Sequence, residues 1–384
     1  MRDSRKALVN ARFYGRKSGV RFPHLGIIID GNNIAAVCDE SEIPESIHRI
    51  DMQGYNVAPG FIDLLVNGAG GGAFGVTADF ADLRVMGDTM LQEGTTGFLA
   101  AAPSNTLPMY LKMQEALLNH PSELPVNFMG MHLEGPYFSM EYRGAHREDC
   151  VRNCSDEELE TLFGHPNHHV SMMSVSPEKI SSKQVKYIED KGIRVSFAHS
   201  AASYEETLRF LENSCHSVTH LYNGMPPMHH RKPGHIPAVF RAKPMTGIIV
   251  DGVHVSYEMV RMAYEFMPES LYLFTDRFTD CAAMNVSYDD EQDCFVRTAT
   301  DGRKIICGSA LSMIKAVRNS VEYVGISMEK AVQMASYYPA KVLGIDKSVG
   351  LLEPGYVANL VAYDDNWQVQ RVMMGGTWIY ERNN

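Results

Sequence analysis

Two histidines, His199 and His220, each close a short apolar run, at residues 193–198 and 217–219. Residues 204–213 between them have helical spacing, with Leu208 and Leu211 on one face and glutamates on the other. A strand, a helix and a second strand of these lengths form one βαβ unit, whose parallel strands end on the same rim of a sheet. Such folds collect their chemistry on that rim. Two neutral imidazoles directed at one point would hold a metal ion, given a carboxylate and an open position. The pair alone leaves two readings open: metal ligands, or hydrogen-bonded histidines at strand ends.

Glu134 and Asp276 share the same setting, because each terminates an apolar run, at 128–133 and 271–275. Four titratable groups at four strand C-termini would converge on one mouth. Glu134, His199 and His220 supply an oxygen and two nitrogens, which suits one divalent ion with room for water. Zn²⁺ is the expected ion, with Fe²⁺, Co²⁺ and Mn²⁺ as alternatives. Such an ion acidifies water and polarises a carbonyl. Asp276 is then left as general base toward the water, and it can return the proton to a leaving nitrogen.

The elements that must position these groups alternate between strand and helix. Expected strands at 57–63, 97–101, 128–133, 170–175, 193–198, 217–219, 246–250 and 271–275 are interleaved with helices at 77–93, 108–119, 156–163, 182–191, 204–213 and 256–266. Helices at 311–324 and 328–337 close the region. Eight strands in this alternation predict a (β/α)8 TIM-like barrel, an α/β fold, over residues 58–346. Residues 1–57 and 347–384 read instead as short strands and tight turns. Asp30-Gly31-Asn32-Asn33 and Gly375-Gly376 are the clearest hairpin signals. The two chain ends are therefore expected to pair into one small β-sandwich domain.

A chain of 384 residues that is 45% hydrophobic and 21% charged has ample length for a large core. Its net charge of −11 argues against a nucleic-acid or anionic-membrane surface. No apolar run approaches the roughly 18 residues of a membrane span. The basic N-terminus lacks the apolar stretch of a signal peptide. Seven cysteines are scattered without a CxxC pair, so reduced thiols and a cytoplasmic location are expected.

Read in order, PGFID (59–63), HLEGP (132–136), GAH (144–146), AHS (198–200), THLYN (219–223), DGVH (251–254) and TD (275–276) resemble the N-acetylglucosamine-6-phosphate deacetylase family of the amidohydrolase superfamily. Together with the flanking β material, the resemblance covers nearly the whole chain. It implies hydrolysis of the N-acetyl group of an amino-sugar 6-phosphate, with the N-acetylgalactosamine epimer or a different amide as alternatives. Glu134, His199 and His220 match the metal ligands, His146 the histidine that polarises the acetyl carbonyl, and Asp276 the acid/base. Asn223, Arg231 and His254 match residues that hold the sugar phosphate in a pocket completed across a homodimer interface. Leu311, in GSALSM (308–313), is expected near the acetyl methyl. The superfamily's usual HxH on the first strand is replaced by Leu65 and Asn67, which implies one metal per subunit and leaves Asn67 to hydrogen-bond near the loop Gly68–Gly72. Arg277-Phe278, directly after the base, departs from the family's small residues and is expected either to reshape the sugar pocket or to turn Arg277 to solvent or toward Asp280.

Overall fold

A computed structural model describes residues 5–16, 24–299 and 302–382. They form two compact units, the first drawn from Met1–Asp63, Met90–Gly97 and Ser312–Asn384, the second from Leu64–Thr89 and Phe98–Leu311.

The first unit contains two sheets. One has the order Asn33–Asp39, Leu25–Asp30, Lys6–Val9, His48–Asp51, and comes wholly from the N-terminal end. The other joins both ends of the chain, in the order Arg12–Phe13, Asn56–Pro59, Leu360–Tyr363, Val369–Met374, Thr377–Glu381. Leu8, Ile27 and Ile29 from the first sheet share one buried cluster with Val57, Leu360, Ala362 and Met373 from the second. Both expected turns are present. Asp30 pairs with Asn33 across a two-residue loop, and Gly375 and Gly376 have φ of 51° and 73°, as a type I′ hairpin requires. The helices Met313–Glu322, Met328–Ala335 and Tyr337–Leu343 also belong to this unit.

The barrel sheet has eight strands, in the order Leu271–Leu273, Met245–Ile248, Ser217–Val218, Arg194–Phe197, Val170–Val175, Phe128–Glu134, Thr95–Pro103, Phe61–Val66. A parallel bridge from Val66 to Arg277 links the first strand to the residues that follow the last. The expected strand at 57–63 proves to be two. Asn56–Pro59 pairs with Leu360–Tyr363 in the small domain, and Phe61–Val66 enters the barrel. All these residues are buried, so hydrophobicity alone carries no mark of the change of sheet. The turn is made at Gly60, where a Cβ would stand 2.1 Å from the Thr96 hydroxyl. The expected helix at 77–93 likewise divides into Phe74–Thr77 and Phe80–Gln92, with Ala78 between them at φ 52°.

In the second unit, a helix and a sheet had no sequence counterpart. Helix His235–Ala242 follows the loop after His220, and an antiparallel three-stranded sheet (Val286–Asp289, Cys294–Thr298, Lys304–Ser309) follows Asp276.

Polar side chains on the barrel strands form a buried chain. His132 Nδ1 donates to the Leu64 carbonyl at 2.7 Å, so its Nε2 accepts from Ser174 Oγ at 2.7 Å. Ser174 continues to Thr219 at 2.9 Å and Thr219 to Ser196 at 2.7 Å. Burial drives the His132 imidazole down to a pKa of about 4, so it is neutral and can fill both roles. His132→Leu would strand the Leu64 carbonyl and the Ser174 hydroxyl. It is expected to lower the unfolding free energy by about 1–3 kcal/mol, measured by urea denaturation; a loss below about 0.5 kcal/mol would show that the chain reorganises at no cost.

Candidate metal centre

Glu134 ends its strand, and His199 and His220 lie just beyond theirs, so strand direction brings the three side chains to one end of the barrel. All three are buried. Their ligating atoms form a tight triangle: His220 Nε2 is 3.0 Å from His199 Nε2 and 3.1 Å from Glu134 Oε1, and His199 Nε2 is 3.5 Å from Glu134 Oε1. A tetrahedral ion with bonds of about 2.0–2.1 Å holds its ligands about 3.3–3.4 Å apart. The donor set and its spacing therefore fit one divalent cation.

The tautomers support the same assignment. His199 Nδ1 donates to the Tyr142 carbonyl at 2.7 Å, which leaves its Nε2 with a bare lone pair facing Glu134 and His220. His146 has the opposite arrangement. Its Nδ1 accepts the Ser104 backbone N–H at 3.1 Å, so its Nε2 carries the proton. That Nε2 lies 3.8 Å from Glu134 Oε1. Proximity alone would group His146 with Glu134 and His199 as ligands. A protonated Nε2 has no lone pair to give, however, which leaves Glu134, His199 and His220 as the set that could hold an ion and His146 as a group that could donate a hydrogen bond next to it.

Burial pushes the His146 and His220 imidazoles below their ordinary range, against the pull of Glu134, which keeps them neutral at pH 7. Burial raises the Glu134 carboxyl, but its contacts with His146, His199 and His220 outweigh that and hold it well below the usual carboxylate range. An anionic carboxylate with neutral imidazoles is the protonation state that a metal requires.

Packing fixes the rings. Phe138, fully buried, lies 4.5 Å from the His199 ring and 5.0 Å from His146, centroid to centroid. Gly224, at φ 61°, passes so close that a Cβ there would stand 2.6 Å from His199 Nδ1. His199 (φ 47°), His220 (φ 35°) and Asp276 (φ 49°) all adopt the left-handed region, a strain of order 1–3 kcal/mol at each non-glycine residue. Their neighbours hold them there: the His199 carbonyl accepts from Ser139 N and Ser176 Oγ, the His220 carbonyl from Asn223 N, and the Asp276 carbonyl from Ser309 N.

Asp276, His146, Asn223 and His254 line the same cavity as the three ligands. Asp251 organises His254: its Oδ2 binds the ring Nδ1 at 2.6 Å, and its Oδ1 accepts the backbone N–H groups of Val253 and His254. Nε2 is then the nitrogen left for a ligand. Two predicted residues stand elsewhere. Arg231 is exposed in the loop 225–234 and Leu311 is buried, and neither lines the cavity. The apolar wall comes instead from Phe278, Met284, Ile306 and Cys307. Sequence reading missed the last three because the segment 282–309, a helical turn followed by the three-stranded sheet, went unrecognised; the apolar run Cys294-Phe295-Val296 was the signal available. Of the Arg277-Phe278 pair, Phe278 enters the cavity wall and Arg277 does not. The Gly68–Gly72 loop also stays out of the lining, and Asn67 makes its contact elsewhere: Nδ2 donates to Asp276 Oδ1 at 2.7 Å.

An oxygen and two imidazoles at the C-terminal mouth of a TIM-like barrel, with an aspartate just beyond the last strand, are the marks of a metal-dependent hydrolase. Residues 56–379 match the amidohydrolase family, and residues 7–57 match the NagA composite domain. The chain belongs to the amidohydrolase family. It is 33% identical over 387 residues to an N-acetylglucosamine-6-phosphate deacetylase of Haemophilus influenzae, covering 97% of this chain and 98% of the relative. It is 31% identical to an N-acetylgalactosamine-6-phosphate deacetylase of Escherichia coli O157:H7, covering 87% and 90%. The solved structure of N-acetylglucosamine-6-phosphate deacetylase from Pasteurella multocida superposes with a TM-score of 0.88 at 30% identity, covering 98% of this chain and all of that one.

Gly224→Ala should leave the fold intact but displace the His199 ring. Metal affinity, read by chelator competition, should fall about 10- to 100-fold, whereas an unchanged affinity would mean that His199 does not depend on this close approach.

Proposed function

We propose that the chain hydrolyses the N-acetyl group of N-acetylglucosamine 6-phosphate, giving glucosamine 6-phosphate and acetate. The observation that carries this reading is the joint placement of the ligand triangle, a protonated His146 Nε2 and Asp276 around one cavity. A divalent ion held by Glu134, His199 and His220, with Zn²⁺ the best match to two nitrogens and an oxygen, would supply Lewis acidity to water and to the acetyl carbonyl.

The chain's own groups do the rest. His146 Nε2–H donates to the carbonyl oxygen as negative charge develops there. Asp276 takes a proton from the attacking water and delivers it to the sugar nitrogen, so the C–N bond breaks with the amine leaving neutral. Asn223 and His254 hold the sugar phosphate from within the cavity. Arg231, on an exposed loop, is proposed to reach the phosphate of a second copy's substrate in a homodimer; a planar guanidinium suits that oxyanion. No helix among the described residues is long and apolar enough to cross a membrane, and all seven cysteines are free thiols, which supports a cytoplasmic enzyme.

The relative from Escherichia coli O157:H7 makes the galactosamine epimer the second reading. Acetate release from N-acetylglucosamine, N-acetylgalactosamine and their 6-phosphates tests both. The glucosamine phosphate should give the highest kcat/KM, and the unphosphorylated sugars should lose at least about 100-fold. A preference for the galactosamine phosphate would select the second reading, and no release from any of the four would overturn the first. Asp276→Asn should keep its metal and lose about 10²- to 10⁴-fold in kcat; turnover near wild type would remove it as the base.

A further inference from the structure

The geometry points to Asn67 as the residue that positions Asp276 for proton transfer, an inference that rests on the deacetylation proposed above. Asn67 lies directly after the first barrel strand, Phe61–Val66, and is 3% exposed. Its side-chain Nδ2 donates to Asp276 Oδ1 at 2.7 Å, and both residues line the cavity. The backbone holds the pair in register. Asn67 N and Gly68 N both donate to the Arg277 carbonyl, at 2.9 and 3.2 Å, beside the parallel bridge from Val66 to Arg277. On its other side the same segment is clamped by Ser309, whose N–H binds the Asp276 carbonyl at 2.9 Å and whose Oγ binds the Thr275 carbonyl at 2.6 Å. Asp276 is thus gripped by the first strand and by the strand Lys304–Ser309, which sustains its left-handed backbone at φ 49°.

A carboxylate rotates freely about its last bond unless one oxygen is held. The Asn67 amide holds Oδ1, so it fixes the plane of the carboxylate and hence where Oδ2 stands when the proton is taken and returned. An amide donor also favours the ionised carboxylate, the form in which a base must wait. Asn67 touches neither the ligand triangle nor, in this reading, the substrate. It acts through Asp276, as a positioning residue. Leucine at 65, whose side chain offers no ligating or hydrogen-bonding atom, leaves Asn67 as the polar side chain directly after this strand.

The test is a double-mutant cycle on full-length protein, reading kcat, KM and metal content for acetate release from N-acetylglucosamine 6-phosphate. Asn67→Leu should lose about 10- to 100-fold in kcat, with KM within about twofold and the metal retained. In the Asp276→Asn background the same change should cost nothing further, because a residue that acts through the base has no effect once the base is gone. Asn67→Asp keeps the volume and, assayed at about pH 9 where both carboxyls are ionised, replaces the donor with a like charge, so it should lose at least as much as the leucine variant even if leucine disturbs folding. The inference is overturned if the aspartate variant turns over within twofold of wild type, if the losses multiply in the double variant, or if the loss falls on KM or on metal content. A wild-type enzyme that releases no acetate contradicts the deacetylase reading itself, whereas an active wild type with an unaffected aspartate variant contradicts only the role of Asn67.

Discussion

Three lone-pair donors, Glu134 Oε1, His199 Nε2 and His220 Nε2, lie within 3.0–3.5 Å of one another in a buried site. With both imidazole nitrogens bare, that arrangement would be costly without a cation, since they and a carboxylate oxygen repel and water cannot screen them. A cation held by the three would turn that repulsion into coordination. Much of the surrounding structure serves this one constraint. Tyr142 sets the tautomer of His199, Phe138 confines its ring, and Gly224 withholds a side chain so that the imidazole can stand where it does. The strained backbones at His199 and His220 are held by hydrogen bonds from segments on either side.

The segment that orients His199 also carries His146, the proposed donor to the carbonyl oxygen. Residues 142–146 carry the Tyr142 carbonyl at one end and His146 at the other, so the position of the His146 donor is tied to that of His199. Ser104, at the end of the neighbouring strand, fixes the His146 tautomer through its backbone N–H. Only proline at 104 would remove that N–H, so other side-chain changes at the position leave the donor in place. Beneath the site, the chain from His132 through Ser174 and Thr219 to Ser196 ties four barrel strands together with satisfied hydrogen bonds. That satisfaction lets polar groups sit in the barrel interior without a penalty.

Much of this was legible in the sequence because strand ends are marked where apolar runs stop. Glu134, His199, His220 and Asp276 were found that way, and alternation of strand and helix carried the barrel. The termini's tight turns carried the small β domain, since Gly-rich loops between short apolar runs leave few other folds. Three kinds of feature were hidden. The division of 57–63 between two sheets left no trace, because both strands are fully buried and the pivot is only Gly60. The helical turn at 282–284 and the three-stranded sheet at 286–309 lie where a barrel helix would be expected, so Met284, Ile306 and Cys307 went unseen as cavity wall. The contact of Asn67 with Asp276 spans 209 positions, a separation that no local pattern encodes.

Which histidine completes the triangle decides whether the chemistry assigned to the cavity holds together. If His220 is the ligand, His146 keeps its proton for the carbonyl oxygen; if His146 is the ligand, that donor is lost. Metal content of wild type, His146→Gln and His220→Gln, purified identically and counted per chain by elemental analysis, separates the two directly. One ion per chain in wild type and in His146→Gln, with none in His220→Gln, is the predicted result. Retention by His220→Gln with loss from His146→Gln, or two ions in wild type, would contradict it.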